Sequence, residues 1–175
     1  MLVGVATQLA TSIYLYDVLA TELYAKFAYL ITFIGIMFSF GLLGVEQTFL
    51  RLASYDNKVM EVPRNVGKYL IVSLIIGPLA IAVTLSFYWD QDIVQYMFLS
   101  IIVGLVMLIY NRERLVGRYF QSQVVNNVWR MLLVIPVALS LMNILSEELI
   151  YYCLLAALIA SLIVGLYYVF NSNIV

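Results

Sequence analysis

Four polar residues, Tyr119, Gln123, Asn126 and Arg130, stand four, three and four positions apart. On an α-helix that spacing gathers them within about 60° of one another, as a stripe three turns long. A guanidinium at the end of such a stripe suits phosphate, because its planar fork donates two parallel hydrogen bonds. The chemistry on offer is therefore a cationic wall that contacts an anionic head group; the plainer alternative is an interhelical hydrogen-bond seam. A second group, Gly44, Gln47 and Arg51, falls at i, i+3 and i+7 on one helix face. Glu46 is five residues from Arg51, about 140° around the helix, so the two are not an intrahelical pair. Arg51 either joins the head-group site or snorkels to lipid phosphate. Glu46 needs a partner from another helix or a watery cavity, and with Asp17 it is a candidate ion-coupling carboxylate.

Other chemistry is poorly provided for. The chain has no His and one Cys, Cys153, inside an apolar run, so neither a disulfide framework nor a Cys/His metal site is expected. There is no Gly-rich phosphate loop, paired catalytic carboxylate or activated nucleophile. The reading is of a protein that is not an enzyme, with no cofactor, metal or nucleic-acid partner.

The elements that must carry these residues are membrane helices. The 175 residues are 65% hydrophobic and 11% charged, with a mean hydropathy of +1.02, far from the balance of a soluble domain. Barrel strands alternate over about ten residues, whereas Phe27 to Val45 is an uncharged run of nineteen, enough to span about 30 Å of hydrocarbon as a helix. The pattern predicts an all-α, six-transmembrane-helix bundle as a single domain over 1–175, with helices at about 1–17, 27–50, 69–89, 93–111, 118–145 and 149–170. The first is short for a span, and the start looks clipped; lacking a basic leader and a cleavage site, it reads as a membrane helix and not a signal peptide. Gly35 with Ser39, and Gly41 with Gly44, are expected to let backbones approach closely. The Gly77-Pro78 pair is expected to kink helix 3, and Pro136 lies in the middle of helix 5.

Charge sets the orientation. Arg51, Lys58, Arg64, Lys68, Arg112, Arg114, Arg118 and Arg130 follow helices 2 and 4, whereas Lys26 alone lies in the loops after helices 1, 3 and 5. Short cytoplasmic loops are enriched in Lys and Arg, which puts both termini in the cytoplasm.

Three stretches, ELYAKFAYL (22–30), GLLGVEQTFLR (41–51) and NRERLVGRYFQSQVVNNVWR (111–130), together resemble bacterial polysaccharide (O-antigen type) flippases, relatives of MATE-type multidrug exporters. The resemblance runs over nearly the whole chain as a distributed pattern and implies the N-terminal six-helix lobe of a two-lobe transporter. It further implies alternating access, in which a lipid-linked oligosaccharide enters at the cytoplasmic leaflet and leaves outside, for lipopolysaccharide and other envelope polysaccharides. The partners implied are the bilayer of a bacterial-type cytoplasmic membrane, the polyprenyl-pyrophosphate sugar, and a second lobe, supplied either by a further part of the chain or by a second copy. The chain departs from the family where a base near the end of helix 1 and a following Gly are usual, since Asp17 and Ala25 stand there. Arg51 and Arg130 are then the candidate pyrophosphate contacts, with Gln47, Tyr119, Gln123 and Asn126 around them. An ion-coupled small-molecule exporter and a non-transporting membrane scaffold are the rival readings.

Overall fold

The computed structural model describes residues 2–40, 51–52, 54–56, 59–61, 64–89 and 93–171. Their helices are α1 (Leu2–Val18), α2 (Thr21–Phe40), α3 (Arg64–Trp89), α4 (Ile93–Leu115), α5 (Tyr119–Met131), α6 (Val134–Leu141) and α7 (Glu147–Asn171). A short antiparallel hairpin, β1 (Ser54–Asp56) with β2 (Val59–Glu61), interrupts this all-helical pattern, with Tyr55 opposite Met60. Among the described residues, four segments are long and apolar enough to cross a membrane: Thr21–Phe38, Val94–Leu115, Tyr119–Leu141 and Glu147–Asn171. The structure is thus a helical bundle compatible with a multi-pass membrane protein.

Several boundaries differ from the sequence expectation for local reasons. Helix α2 begins at Thr21, not near 27, and takes Glu22 into its first turn, where a carboxylate complements the helix dipole. Helix α3 begins at Arg64 and runs unbroken through Gly77 and Pro78. Helix α4 continues to Leu115, so Asn111 through Arg114 are helical. It ends where Gly117 takes φ +80, with Gly117 N–H donating to Arg114 O at 3.0 Å and Arg118 N–H to Glu113 O at 2.8 Å. Those two bonds satisfy carbonyls that a helix end leaves open, and glycine is the residue that adopts this φ without strain. Asn143, at φ 56, closes α6 in the same way, with its N–H on Ser140 O and that of Ile144 on Leu139 O.

The expected fifth helix is broken between Met131 and Val134. Pro136 has no N–H for the carbonyl of Leu132, and its ring crowds that carbonyl. Ile135 N–H bonds Leu132 O instead, at 3.0 Å, so the break leaves this acceptor paired.

Contacts between helices give their directions. Gly4 lies against Asn127, and Val18 shares a recess with Ser140 and Asn143, so α1 runs parallel to α5 and α6. Tyr151 Oη reaches Gln95 O at 3.5 Å, while Gly165 meets Ile109, so α7 runs parallel to α4. Trp129 N–H donates to Ser161 Oγ at 2.8 Å and Gly165 also meets Val125, so α5 is antiparallel to both. Phe33 packs edge-on to Tyr96 at 4.7 Å and Phe38 stacks on Trp129 at 5.7 Å, which sets α2 against α4 and α5, and α2 also packs on α7. Helices α1 and α5–α6 therefore run one way and α2, α4 and α7 the other, as a chain that recrosses a membrane requires.

The core holds Leu30, Phe33, Ile34, Leu99, Val103, Trp129, Leu154 and Leu158. Leu9, Ile75 and Ile163, each 60% exposed or more, face outward. In lipid an outward apolar side chain costs nothing, and helix pairing rests on close packing and polar contacts. One close approach is on α7, where Ala157, Ser161 and Gly165 form a buried row at four-residue spacing. A Cβ on Gly165 would come within 2.9 Å of Ile109 Cγ2 and 3.3 Å of Val125 Cγ1. At Gly35, where a close approach was expected, a Cβ would meet nothing within 4 Å among the described residues. Gly41 and Gly44 lie outside the described residues.

Candidate functional site

Helix α5 presents two opposite faces. Ser122, Val125 and Trp129, at i, i+3 and i+7, are buried toward α4 and α7. The opposite face borders a groove of about 510 Å³ beside the start of α1, lined by Val3, Gly4, Gln123, Val124, Asn127 and Met131, with Tyr119 and Phe120 at one end. Tyr119 and Phe120 are 67% and 75% exposed, as amphipathic and aromatic rings are at a membrane interface.

Within the helix the polar groups are linked by Asn127. Its Nδ2 donates to Gln123 O at 2.7 Å, and its Oδ1 accepts from Arg130 Nη1 at 3.4 Å. The same Oδ1 sits where a Cβ on Gly4 would fall, 2.5 Å away, so the absence of a side chain at Gly4 is what lets α1 lie against the amide. Gln123 Oε1 and Arg130 Nε are buried and have no hydrogen-bond partner among the described residues. The Arg130 guanidinium also lies over the Trp129 ring, 5.2 Å from its centroid. A cation at this depth costs about 2.5–3.5 kcal/mol on insertion scales. One long hydrogen bond and one ring face offset part of that, and no carboxylate among the described residues pairs with Arg130.

The four expected stripe residues are placed differently about the groove. Gln123 lies on the groove and Tyr119 at its mouth, while Asn126 is half-buried to one side. At about 100° per residue, placing Ser122, Val125 and Trp129 inward turns Asn127 outward toward α1, and Asn126 away from it. The amide that joins Gln123 to Arg130 is therefore Asn127, which the sequence reading passed over in favour of its neighbour. The signal was the buried triad itself, whose i, i+3, i+7 spacing fixes the helix's rotation.

The remaining candidates are dispersed. Asp17 is exposed at the end of α1, away from the α5 groove, which borders the other end of that helix. Arg51 is exposed and makes no hydrogen bond or ion pair with the α5 groups among the described residues. Glu46 and Gln47 lie outside the described residues. A carboxylate not singled out beforehand is the most buried among the described residues: Glu113, 0% exposed, pairs with Arg112 through Oε1, while its Oε2 has no hydrogen-bond partner among them. Asn111, 3% exposed, is buried two residues away.

Among the described residues no group of His, Cys, Asp and Glu could hold a metal ion. Comparison with protein-family models, with curated proteins and with solved structures finds no match.

Proposed function

We propose that this chain is a lobe of a membrane transporter that flips a lipid-linked oligosaccharide, a polyprenyl-pyrophosphate sugar, across the cytoplasmic membrane by alternating access. The observation that carries this reading is Arg130, half-buried within the Tyr119–Leu141 span and without a carboxylate partner among the described residues. An intramembrane cation is costly and points to a ligand or a pathway, and one left without an acid partner favours an anionic ligand. Asn127 connects Arg130 to the α1–α5 groove, whose walls are apolar apart from its amides and Tyr119. A ligand with a charged head and a hydrocarbon tail matches that combination. The six-helix topology, both termini in the cytoplasm and a second lobe facing this one are parts of the same proposal. In that frame Arg130 of α5 faces an entering head group, with Arg51 as an outer contact.

The test is complementation of polysaccharide export by the complete gene product. Replacing Arg130 by Ala is expected to lower export at least about ten-fold, the worth of ~1.4 kcal/mol, and Lys to restore part of it. Normal export with both Arg51→Ala and Arg130→Ala sinks the site. A second reading, ion-coupled export of a small molecule, draws on Glu113, since a fully buried carboxylate with one oxygen unpartnered among the described residues suits a coupling role better than the exposed Asp17. Efflux unaffected by Glu113→Gln and by the proton or sodium gradient removes it.

A further inference from the structure

The turn between α4 and α5 carries three arginines, Arg112, Arg114 and Arg118, within a stretch whose one acid is Glu113. Glu113 is 0% exposed and its carboxylate is paired with Arg112. The charge it could have lent to the surface is therefore consumed inside, and Arg114 and Arg118 are left without an acid partner among the described residues. Arg114 is exposed and its guanidinium lies over the Tyr110 ring, 5.4 Å from the centroid, which limits the orientations it samples. Arg118 is tied to the same turn by its N–H on Glu113 O. The two bonds that close α4 around Gly117 thus set two cations on either side of one tight reversal.

The next two residues, Tyr119 and Phe120, are 67% and 75% exposed. The turn lies between the spans Val94–Leu115 and Tyr119–Leu141, so it emerges at the boundary between hydrocarbon and water. Cations with bare aromatic rings at that depth match a lipid head group above and acyl chains beside it. A small soluble anion would leave both rings unaccommodated. The same pairing recurs at the start of α3, with Lys68 exposed and Tyr69 65% exposed. Helices α3 and α4 pack together with three residues between them, so the start of one lies on the same side of the bundle as the end of the other.

We propose that the α4–α5 turn is a binding site for anionic phospholipid, in which Arg114 and Arg118 hold the head-group phosphate and Tyr119 and Phe120 insert beside it. The site does not depend on the transport reading: it needs the chain to lie in a bilayer, and nothing more.

The full chain, purified in a neutral detergent, is titrated with phosphatidylglycerol or with phosphatidylcholine of the same acyl chains. Bound lipid is counted by native mass spectrometry, and unfolding temperature is followed in parallel. Phosphatidylglycerol is expected to remain bound and to raise the unfolding temperature, and phosphatidylcholine to do neither. The double variant Arg114→Gln/Arg118→Gln is expected to bind phosphatidylglycerol about 30-fold more weakly, from the attraction that each basic residue has for an anionic surface. Arg114→Lys/Arg118→Lys keeps the charge and is expected to stay within a few-fold of the parent. If the double Gln variant unfolds earlier without lipid, Arg118→Gln alone carries the comparison. Equal binding of the two lipids, or undiminished phosphatidylglycerol binding by the Gln variants, overturns the proposal. So does displacement of the lipid by a ten-fold excess of inorganic phosphate, which would make this a site for soluble anions.

Discussion

Replacing Gly4 by alanine puts a methyl group where α1 meets α5. The new Cβ would fall 2.5 Å from Asn127 Oδ1 and 3.1 Å from Asn127 Cβ and Cγ, all inside normal contact distance. The oxygen belongs to a side chain that cannot swing aside freely. Its own Nδ2 is held on Gln123 O at 2.7 Å and its Oδ1 accepts from Arg130, so moving it breaks one bond and strains another. Overpacking of this kind costs about 1–3 kcal/mol. Alanine in a helix interior returns about 0.8–1 kcal/mol relative to glycine, so the net loss is about 0–2 kcal/mol. The sign is set by whether Asn127 gives way. A double-mutant cycle isolates the contact: with Asn127→Ala in place the oxygen is gone, and Gly4→Ala should then be neutral or stabilising. The expected coupling exceeds ~0.5 kcal/mol, above the usual scatter of additivity. Equilibrium unfolding in mixed micelles reads all four proteins. If Gly4→Ala alone stabilises by the full helix-propensity gain, or if the two changes simply add, α1 does not lie against Asn127 and the groove has a different wall.

Two further substitutions probe the interior. Gly165→Ala drives a Cβ to 2.9 Å from Ile109 Cγ2 and 3.3 Å from Val125 Cγ1, touching α4 and α5 at once, and is expected to destabilise by about 1–3 kcal/mol; unfolding at or above the parent midpoint contradicts this packing. Glu113→Ala leaves Arg112, 23% exposed at its side chain, without its carboxylate and is expected to cost about 1.5–3 kcal/mol, the range of a hydrogen bond to a charged group. Glu113→Gln keeps an acceptor for Arg112 and should lose less, so equal losses for the two variants would deny the pairing.

Long uncharged runs made the helices legible, because length and hydropathy are properties that lipid imposes directly on sequence. Their ends were less so: Glu22 and Lys26, and Arg112 through Arg114, looked like loop residues on charge alone, yet helices at an interface carry charges in their terminal turns. The stripe on α5 is legible as a cluster, but which helix each of its residues faces is not. Polarity named Asn126, whereas the packing of Ser122, Val125 and Trp129 against the core brings Asn127 to α1. Gly165 was not picked out and Gly35 was, since a small residue reveals that close approach is possible without saying where a neighbour lies. Glu113 read as one more loop charge because its burial depends on how α4 extends past Tyr110.

The interruption at Leu132–Leu133 has a mechanical consequence through α1. Helices α5 and α6 are two short rods meeting at a joint that Pro136 keeps from annealing, and α1 lies along both, touching Asn127 on one and neighbouring Ser140 on the other. It is a splint across that joint. Bending α5 against α6 would have to slide or lift α1, so the tight Gly4 contact on Asn127, about one and a half turns from the joint, would resist it.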